Sequence, residues 1–134
     1  MRKEQPEYQL QKQVCQYLNI QYPKVMYLSD TVAAVKLTIP QQVRNKAIQK
    51  EGFKCPDLLI LQPNKYNSGL FIELKAKTPY KSNGFVLLSN PHVEAQAETL
   101  NQLNKIGYYA CFSWSFEDCK SIIDSYMKDA TPRS

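Results

Sequence analysis

The chain has 134 residues, of which 43% are hydrophobic and 22% are charged, and its formal net charge is +5. These values are ordinary for a soluble globular protein, and the length favours a single domain over residues 1–134. No stretch approaches the ~20 apolar residues of a membrane-spanning helix, so we expect no membrane partner.

The segment PEYQLQKQVCQYLN (residues 6–19) predicts a first helix that begins at Pro6. Its apolar residues recur at helical spacing, and these are Leu10, Val14, Tyr17 and Leu18. The segment KVMYLSD (residues 24–30) predicts the first strand. Next, TIPQQVRNKAIQKEGF (residues 38–53) predicts a loop and then a basic helix. We expect this helix to stop at Gly52 and to turn three residues inward: Val43, Ala47 and Ile48.

Two further strands are predicted at residues 57–61 and 70–77, joined by the turn-forming segment QPNKYNSG (residues 62–69). A third helix follows, capped by Asn90, opened by Pro91 and ended by Gly107. The segment YYACFSW (residues 108–114) predicts the last strand, and a Ser115/Asp118 capping pattern opens the last helix. The order α-β-α-β-β-α-β-α indicates an α/β fold with a mixed sheet flanked by helices.

The cysteines are scattered, with no CxxC pair and no neighbouring histidine cluster; they are Cys15, Cys55, Cys111 and Cys119. A zinc site is therefore not expected. The N-terminal residues MRKEQPEYQ do not form an export signal, so free thiols indicate a reducing compartment. We expect a cytoplasmic location, in a bacterium or a phage-infected host cell.

Positive charge is concentrated in the middle of the chain. Residues 36–81 hold nine basic and three acidic side chains, whereas residues 82–134 hold four basic and six acidic ones. Such a field suits nucleic acid, although a solvated lysine-rich surface would have the same composition. The predicted nucleic-acid contacts are Lys36, Arg44, Lys46, Lys50, Lys54, Lys77 and Lys81.

Three charged residues interrupt the two apolar strand segments. Asp57 opens the first strand, and Glu73 and Lys75 share one face of the second because side chains alternate along a strand. If the strands are hairpin neighbours, the three groups converge at one edge, where two carboxylates would suit Mg²⁺ and a lysine could orient a water. The alternative is a surface salt bridge on an edge strand.

These residues also resemble the VRR-NUC branch of the PD-(D/E)XK nuclease superfamily. Pro56-Asp57 corresponds to the "PD" and Glu73-Leu74-Lys75 to the "(D/E)XK". The segment EAQAETLNQLNKIGYYACFSWSFEDCKSIIDSYM (residues 94–127) is similar to the family's glutamine-bearing helix, "GY" turn, last strand and closing helix. PEYQLQ, with Glu7, is similar to the family's first helix.

The resemblance implies a restriction-endonuclease-like (PD-(D/E)XK) core, with a central mixed β-sheet flanked by α-helices. It implies Mg²⁺-dependent DNA cleavage, with Mn²⁺ able to substitute and no small-molecule cofactor. It also implies catalytic roles for Asp57, Glu73 and Lys75, with Gln96 and Glu7 as supporting residues. The implied metal ligands are Asp57, Glu73 and the Leu74 carbonyl.

The supporting residues have simpler explanations as well. Gln96 falls on the apolar stripe of its helix, where a satisfied core glutamine is the alternative to a site residue. Glu7 could serve only the helix dipole. His92, the only histidine, is interpreted as a surface or substrate-side residue.

The chain departs from the family pattern in two places. Cys55 stands where members often have glycine, and TPYKSNGFVLLSN (residues 78–90) is longer than the usual connector. We expect the connector to be a loop or small hairpin. Its Tyr80 and Lys81 could touch DNA, or its apolar residues could pack on a partner subunit: Phe85, Val86, Leu87 and Leu88.

Cutting both strands would require a second active site, which a two-fold homodimer supplies. Stand-alone members of this family resemble junction-resolving enzymes, so Holliday-junction or other branched DNA is the expected substrate. The alternatives are a nicking or restriction-type nuclease and a non-catalytic nucleic-acid-binding module of the same fold.

Overall fold

The structure of the protein is a computed structural model that describes residues 6–29, 37–84 and 87–130. Its elements follow the predicted order and are α1 (Pro6–Gln21), β1 (Tyr27–Ser29), α2 (Ile39–Ile48), β2 (Leu58–Ile60), β3 (Leu70–Leu74), α3 (Pro91–Lys105), β4 (Tyr109–Ser113) and α4 (Phe116–Lys128). No helix within these described ranges is both long enough and apolar enough to span a bilayer.

The sheet has four strands in the order β1-β2-β3-β4. β2 pairs with both β1 and β3 in antiparallel fashion, so the predicted hairpin of β2 and β3 is present. β4 lies parallel to β3, and the connection between these two strands contains α3. The predicted mixed α/β sheet is thus confirmed, and β3 is a central strand.

The two faces of β3 pack against different helices. Leu70, Ile72 and Leu74 belong to a buried cluster that includes residues of α1 and α4. The opposite face carries Phe71, which packs with residues of α3 and β4. Because alternate side chains point to opposite faces, Glu73 shares the α3 face with Phe71.

Two predicted helix starts are confirmed by their caps. The Asn90 side chain accepts hydrogen bonds from the backbone N–H groups of His92 and Val93. The Ser115 hydroxyl accepts one from the backbone N–H of Asp118. The strands are shorter than predicted, since β2 covers only Leu58–Ile60 and β3 ends at Leu74.

The prediction for α2 was wrong in its burial. None of its residues is buried, and Val43 and Ile48 are 64% and 81% exposed. A Thr38–Gln41 capping box starts the helix through local hydrogen bonds, so it forms without an apolar face against the core. The helix also ends at Ile48 rather than at Gly52, whose positive φ of 78° belongs to the following turn.

The long connector after β3 is folded back on itself. Tyr80 and Leu87 form an antiparallel bridge, and the N–H of Leu88 donates to the Pro79 carbonyl at 2.8 Å. This is closer to the small hairpin than to the open loop. Phe85 and Val86, named above as possible partner contacts, lie outside the described residues.

A polar cluster ties α1 to α4. The Asp124 carboxylate accepts hydrogen bonds from the Tyr17 and Tyr22 hydroxyls at 2.5 and 2.7 Å, and Lys120 forms an ion pair with it at 3.2 Å. Partial burial opposes ionisation of Asp124, but the hydrogen bonds and the lysine outweigh it and hold the pKa of this carboxyl below its ordinary value. The ionised form therefore stabilises this contact between the helices.

Asp124→Ala should lower the free energy of unfolding by about 2 kcal/mol, because two tyrosine hydroxyls and a lysine lose a charged acceptor. In the unmutated protein this contribution should be present at neutral pH and lost as pH falls through the lowered pKa of Asp124. Urea unfolding at several pH values measures both effects. Asp129→Ala, which removes a nearby acid outside the cluster, is the control, and equal losses in the two variants would contradict the assignment.

Candidate active site

The start of β2 and the end of β3 meet at one end of the sheet. Leu58 pairs with Ile72, which places Asp57 beside the last residues of β3. The Asp57 Oδ2 atom accepts a hydrogen bond from the backbone N–H of Leu74 at 2.8 Å. A main-chain donor therefore fixes the orientation of this carboxylate.

Glu73 is buried on the central strand and is only 5% exposed. Its Oε1 atom accepts a hydrogen bond from Gln96 Nε2 of α3 at 2.8 Å. Lys75 follows the strand, is half-buried, and forms no ion pair with a carboxylate of the described residues. The alternative of a surface salt bridge on an edge strand is therefore wrong for Glu73 and Lys75.

Burial dominates the acid–base behaviour of Glu73. Removal from water, the charge of Asp57 and a hydrogen bond with Asp57 together raise the pKa of Glu73 to about 9, against the attraction of Lys75. Glu7 of α1 is close enough to raise the pKa further. In the absence of a cation the site consequently holds a proton at neutral pH, and a cation would have to displace it.

One buried polar atom of the site has no hydrogen-bond partner among the described residues. The Oε1 atom of Gln96 accepts no hydrogen bond from the described part of the chain, although its amide nitrogen is bonded to Glu73. A buried acceptor of this kind is normally satisfied by protein or water. A water bound to a cation at Glu73 could donate to it.

The Leu74 carbonyl completes a candidate set of oxygen ligands. The N–H and C=O of a strand residue point toward the same neighbouring strand, so this carbonyl faces the β2 side, as the N–H bonded to Asp57 does. Within the described ranges no three His, Cys, Asp or Glu side chains are grouped to hold a metal. A cation here would be held by two carboxylates and a carbonyl, with remaining positions for water, an arrangement that Mg²⁺ accepts.

These residues line a cleft of about 720 Å³. The structure brings together around it Glu7 of α1, Asp57 before β2, Glu73 of β3, Lys75 just after β3, and Gln96 of α3. The remaining lining residues are Leu28, Ser29, Asn45, Gln49, Phe53, Lys54, Cys55, Leu59 and His92. His92 thus lies at the cleft, as a substrate-side residue would.

The predicted basic residues are distributed unevenly around the cleft. Lys54 lines it, whereas Asn45 of α2 and Gln49, the residue that caps the end of α2, line it in place of Arg44 and Lys46. Exposed lysines at positions 50, 77 and 81 are not among its lining residues. Lys36 lies outside the described residues.

The sequence analysis did not assign the amides of Asn45, in α2, and Gln49, its C-cap, to the cleft. Gln49 Nε2 donates to Asn45 Oδ1 at 3.3 Å, which is the contact expected of residues four apart on a helix. Two amides at this spacing, opposite the apolar residues of the same helix, are the signal that could have assigned the cleft-facing side.

In EDTA, the free energy of unfolding should fall as pH rises from about 4.5 toward 9, because the folded protein keeps a proton on Glu73 that the unfolded chain has released. Glu73→Gln should flatten this dependence and stabilise the metal-free protein near neutral pH. Urea titrations across the range measure it. Glu94→Gln, which changes an exposed acid of α3, should leave the pH dependence unchanged. An unchanged pH dependence in the Glu73→Gln variant would contradict the assignment.

No family model matches the sequence, and no curated protein matches it either. Among solved structures, the chain is similar to a protein described as "VRR_NUC domain protein". The two share 25% sequence identity and superpose with a TM-score of 0.63, over 96% of this chain and 93% of that chain. The likeness therefore extends over nearly the whole of both proteins.

The mixed sheet with flanking helices agrees with the restriction-endonuclease-like fold expected from the Pro56-Asp57 and Glu73-Leu74-Lys75 motifs. Motifs, fold and structural neighbour point to one nuclease family. The resemblance of this chain to the VRR-NUC family, expected from its motifs, is thus supported by its similarity to a solved structure of that description.

Proposed function

We propose that this protein is a Mg²⁺-dependent endonuclease that hydrolyses phosphodiester bonds in DNA. The observation that carries the proposal is the buried Glu73 carboxylate, held between Asp57 and Gln96 in an open cleft and lacking a neutralising ion pair with Lys75. A buried carboxylate without a neutralising partner is destabilising, so its presence favours a role in binding a cation.

Asp57, Glu73 and the Leu74 carbonyl would hold the Mg²⁺ ion, and Mn²⁺ would be able to take its place. When bound, the ion would supply positive charge against the phosphate and lower the pKa of a coordinated water. Gln96 would keep Glu73 in position through its amide N–H, and its free oxygen would accept from the hydrated site. Glu7 would add a further acceptor at the edge of the cleft.

Lys75 would position the attacking water and offset the negative charge that develops on the phosphate. Its ammonium group has no carboxylate partner among the described residues and lines the same cleft as Asp57 and Glu73. A lysine suits this role because it carries a compact charge on a flexible stem. As the family resemblance implies, the product would carry a 5′-phosphate.

The flanking basic residues would bind the sugar–phosphate backbone. Lys54 and His92 line the cleft and would contact phosphates nearest the reaction. Proposed contacts outside the cleft lining are Arg44, Lys46, Lys50, Lys77 and Lys81. Lys36, which lies outside the described residues, is a further proposed contact. Such contacts carry no direct sequence information, so the substrate would be recognised through its backbone and shape.

Branched DNA, including the four-way junction, is the proposed substrate, and a homodimer is the proposed active form. A two-fold dimer would supply two clefts, one in each subunit, and each cleft would cut one of the two DNA strands. Incubation with Mg²⁺ on linear, flapped and four-way DNA of matched sequence tests the reaction. Preferential paired cuts in the four-way DNA would support it, equal cutting of linear duplex would favour a restriction or nicking enzyme, and binding without cleavage would favour a non-catalytic module.

Lys75→Ala should reduce the cleavage rate roughly 10²- to 10⁴-fold, because a positioned charge-stabilising group is lost. Asp57→Asn and Glu73→Gln should abolish cleavage by removing the charges that hold the cation. Single-turnover rates on the preferred DNA measure these effects. Lys65→Ala, at the turn between β2 and β3 away from the cleft, is the matched lysine control. Wild-type rates in any of the three site variants would refute the assignment.

If the active form is a two-fold dimer, mixing wild-type and Lys75→Ala subunits should give heterodimers with one working site. These should nick one strand of a four-way junction and fail to make the paired second cut. Gel analysis of junction products, beside light scattering for mass, measures the outcome. Symmetric double cutting by a species of monomer mass would refute the dimer and leave the nuclease proposal standing.

A further inference from the structure

Trp114 is the only tryptophan in the chain and is placed directly after β4. It is 36% exposed, so part of the indole is in contact with solvent. Its ring meets that of Tyr80 edge-on, with centroids 5.8 Å apart and an interplanar angle of 66°. Tyr80 in turn meets Phe112 at 6.2 Å, which anchors the pair to the packed face of the sheet.

The strand register places Trp114 one residue beyond the paired part of β4, on the side of the sheet that carries Lys75. Glu73 is aligned with Phe112 and Leu74 with Ser113, and the Lys75 N–H donates to the Ser113 carbonyl at 2.9 Å. Continuing this register by one residue puts Trp114 next to Lys75, which lines the cleft, although Trp114 is not itself among the lining residues. Asp57 lies on the other side of β3, so Lys75 stands between the carboxylate and the indole.

The two aromatic rings are also on the correct face. Tyr80 contacts both Phe112 and Trp114, and Phe112 packs on the α3 side of the sheet, where Gln96 holds Glu73. The Tyr80 segment is held by its bridge to Leu87 and by an N–H bond to the Thr78 hydroxyl at 3.2 Å. The partly exposed indole of Trp114 is thus held next to Lys75.

A fixed, exposed aromatic ring beside a phosphate-cleaving site has a specific use. Bases stack on aromatic side chains, and this contact is tolerant of sequence because every base has a flat face. Within an intact duplex each base is already stacked on its neighbours, so a side chain gains this contact only with an unpaired base or at an exposed helix end. A tryptophan that served only to pack the core would be expected to be buried, whereas Trp114 is 36% exposed.

We propose that Trp114, braced by Tyr80, is a stacking platform for an unpaired base next to the scissile phosphate. This inference rests on the proposed nuclease function and adds the substrate class. The preferred DNA has its helix interrupted at the cleavage site, so that one base can leave the stack and lie on the indole.

Because Trp114 is the only tryptophan, the tryptophan fluorescence of the protein reports directly on contacts of its indole. In the Glu73→Gln protein, which should bind without cutting, an oligothymidylate should quench the tryptophan emission because a base stacks on the indole. An oligomer of abasic sites of equal length carries the same phosphates without bases and should leave the emission nearly unchanged. This comparison needs no change at Trp114, so it remains decisive even if a Trp114 variant does not fold.

Affinity gives the second measurement. The oligothymidylate should bind roughly 5- to 150-fold more tightly than the abasic oligomer, the range expected for one stacked base. Trp114→Ala should abolish this ratio and Trp114→Phe should retain part of it. Tyr66→Ala is the control, since Tyr66 is 75% exposed but lies in the turn between β2 and β3, away from the cleft.

The outcomes separate the two proposals. Equal binding of both oligomers, without quenching, would overturn the stacking platform and leave the nuclease proposal intact. A base-dependent ratio that survives in Trp114→Ala would overturn it as well. Failure of the unmutated protein to bind either oligomer and to cleave any DNA would overturn the nuclease function and the inference built on it.

Discussion

The site depends on one constraint, which is that a carboxylate is buried on the central strand of the sheet. Glu73 is removed from water and lies close to a second carboxylate, so its charged form is unfavourable unless a proton or cation is present. Two interactions keep this arrangement in place: the hydrogen bond from Gln96 to Glu73, and that from the Leu74 N–H to Asp57. The core must supply the stability that this polar group does not.

β3 both packs the core and presents polar residues to the cleft, because its side chains alternate between the two faces of the sheet. Leu70, Ile72 and Leu74 are fully buried against α1 and α4, and they hold the strand in register. The other face presents Glu73 toward α3, and Lys75 follows on the same side. Because a shift of one residue would exchange the two faces, the apolar residues fix the position of Glu73 and Lys75 in the candidate site. A change in the packing of the apolar face of β3 would therefore also move Glu73 and Lys75.

The elements around the cleft are held more by local interactions than by the core. α2 has no buried residue and begins at its own capping box, yet Asn45 of this helix and its C-cap Gln49 line the cleft. The Tyr80–Leu87 bridge and the aromatic contacts of Tyr80 hold the segment beside Trp114. The sheet thus carries the candidate cation ligands, and the locally stabilised α2 forms part of the cleft wall.

The sequence by itself determined the order of the elements, the caps at Asn90 and Ser115, the hairpin of β2 and β3, and the resemblance to the VRR-NUC family, because these depend on local patterns and short motifs. It could not determine the orientation of α2, since Val43 and Ile48 have the apolar character of inward residues and only the tertiary structure leaves them in solvent. Nor could it bring Trp114 beside Lys75. These residues are far apart in the chain, and they become neighbours only because β4 pairs in parallel with β3, a choice made by the packing of α3 across the sheet.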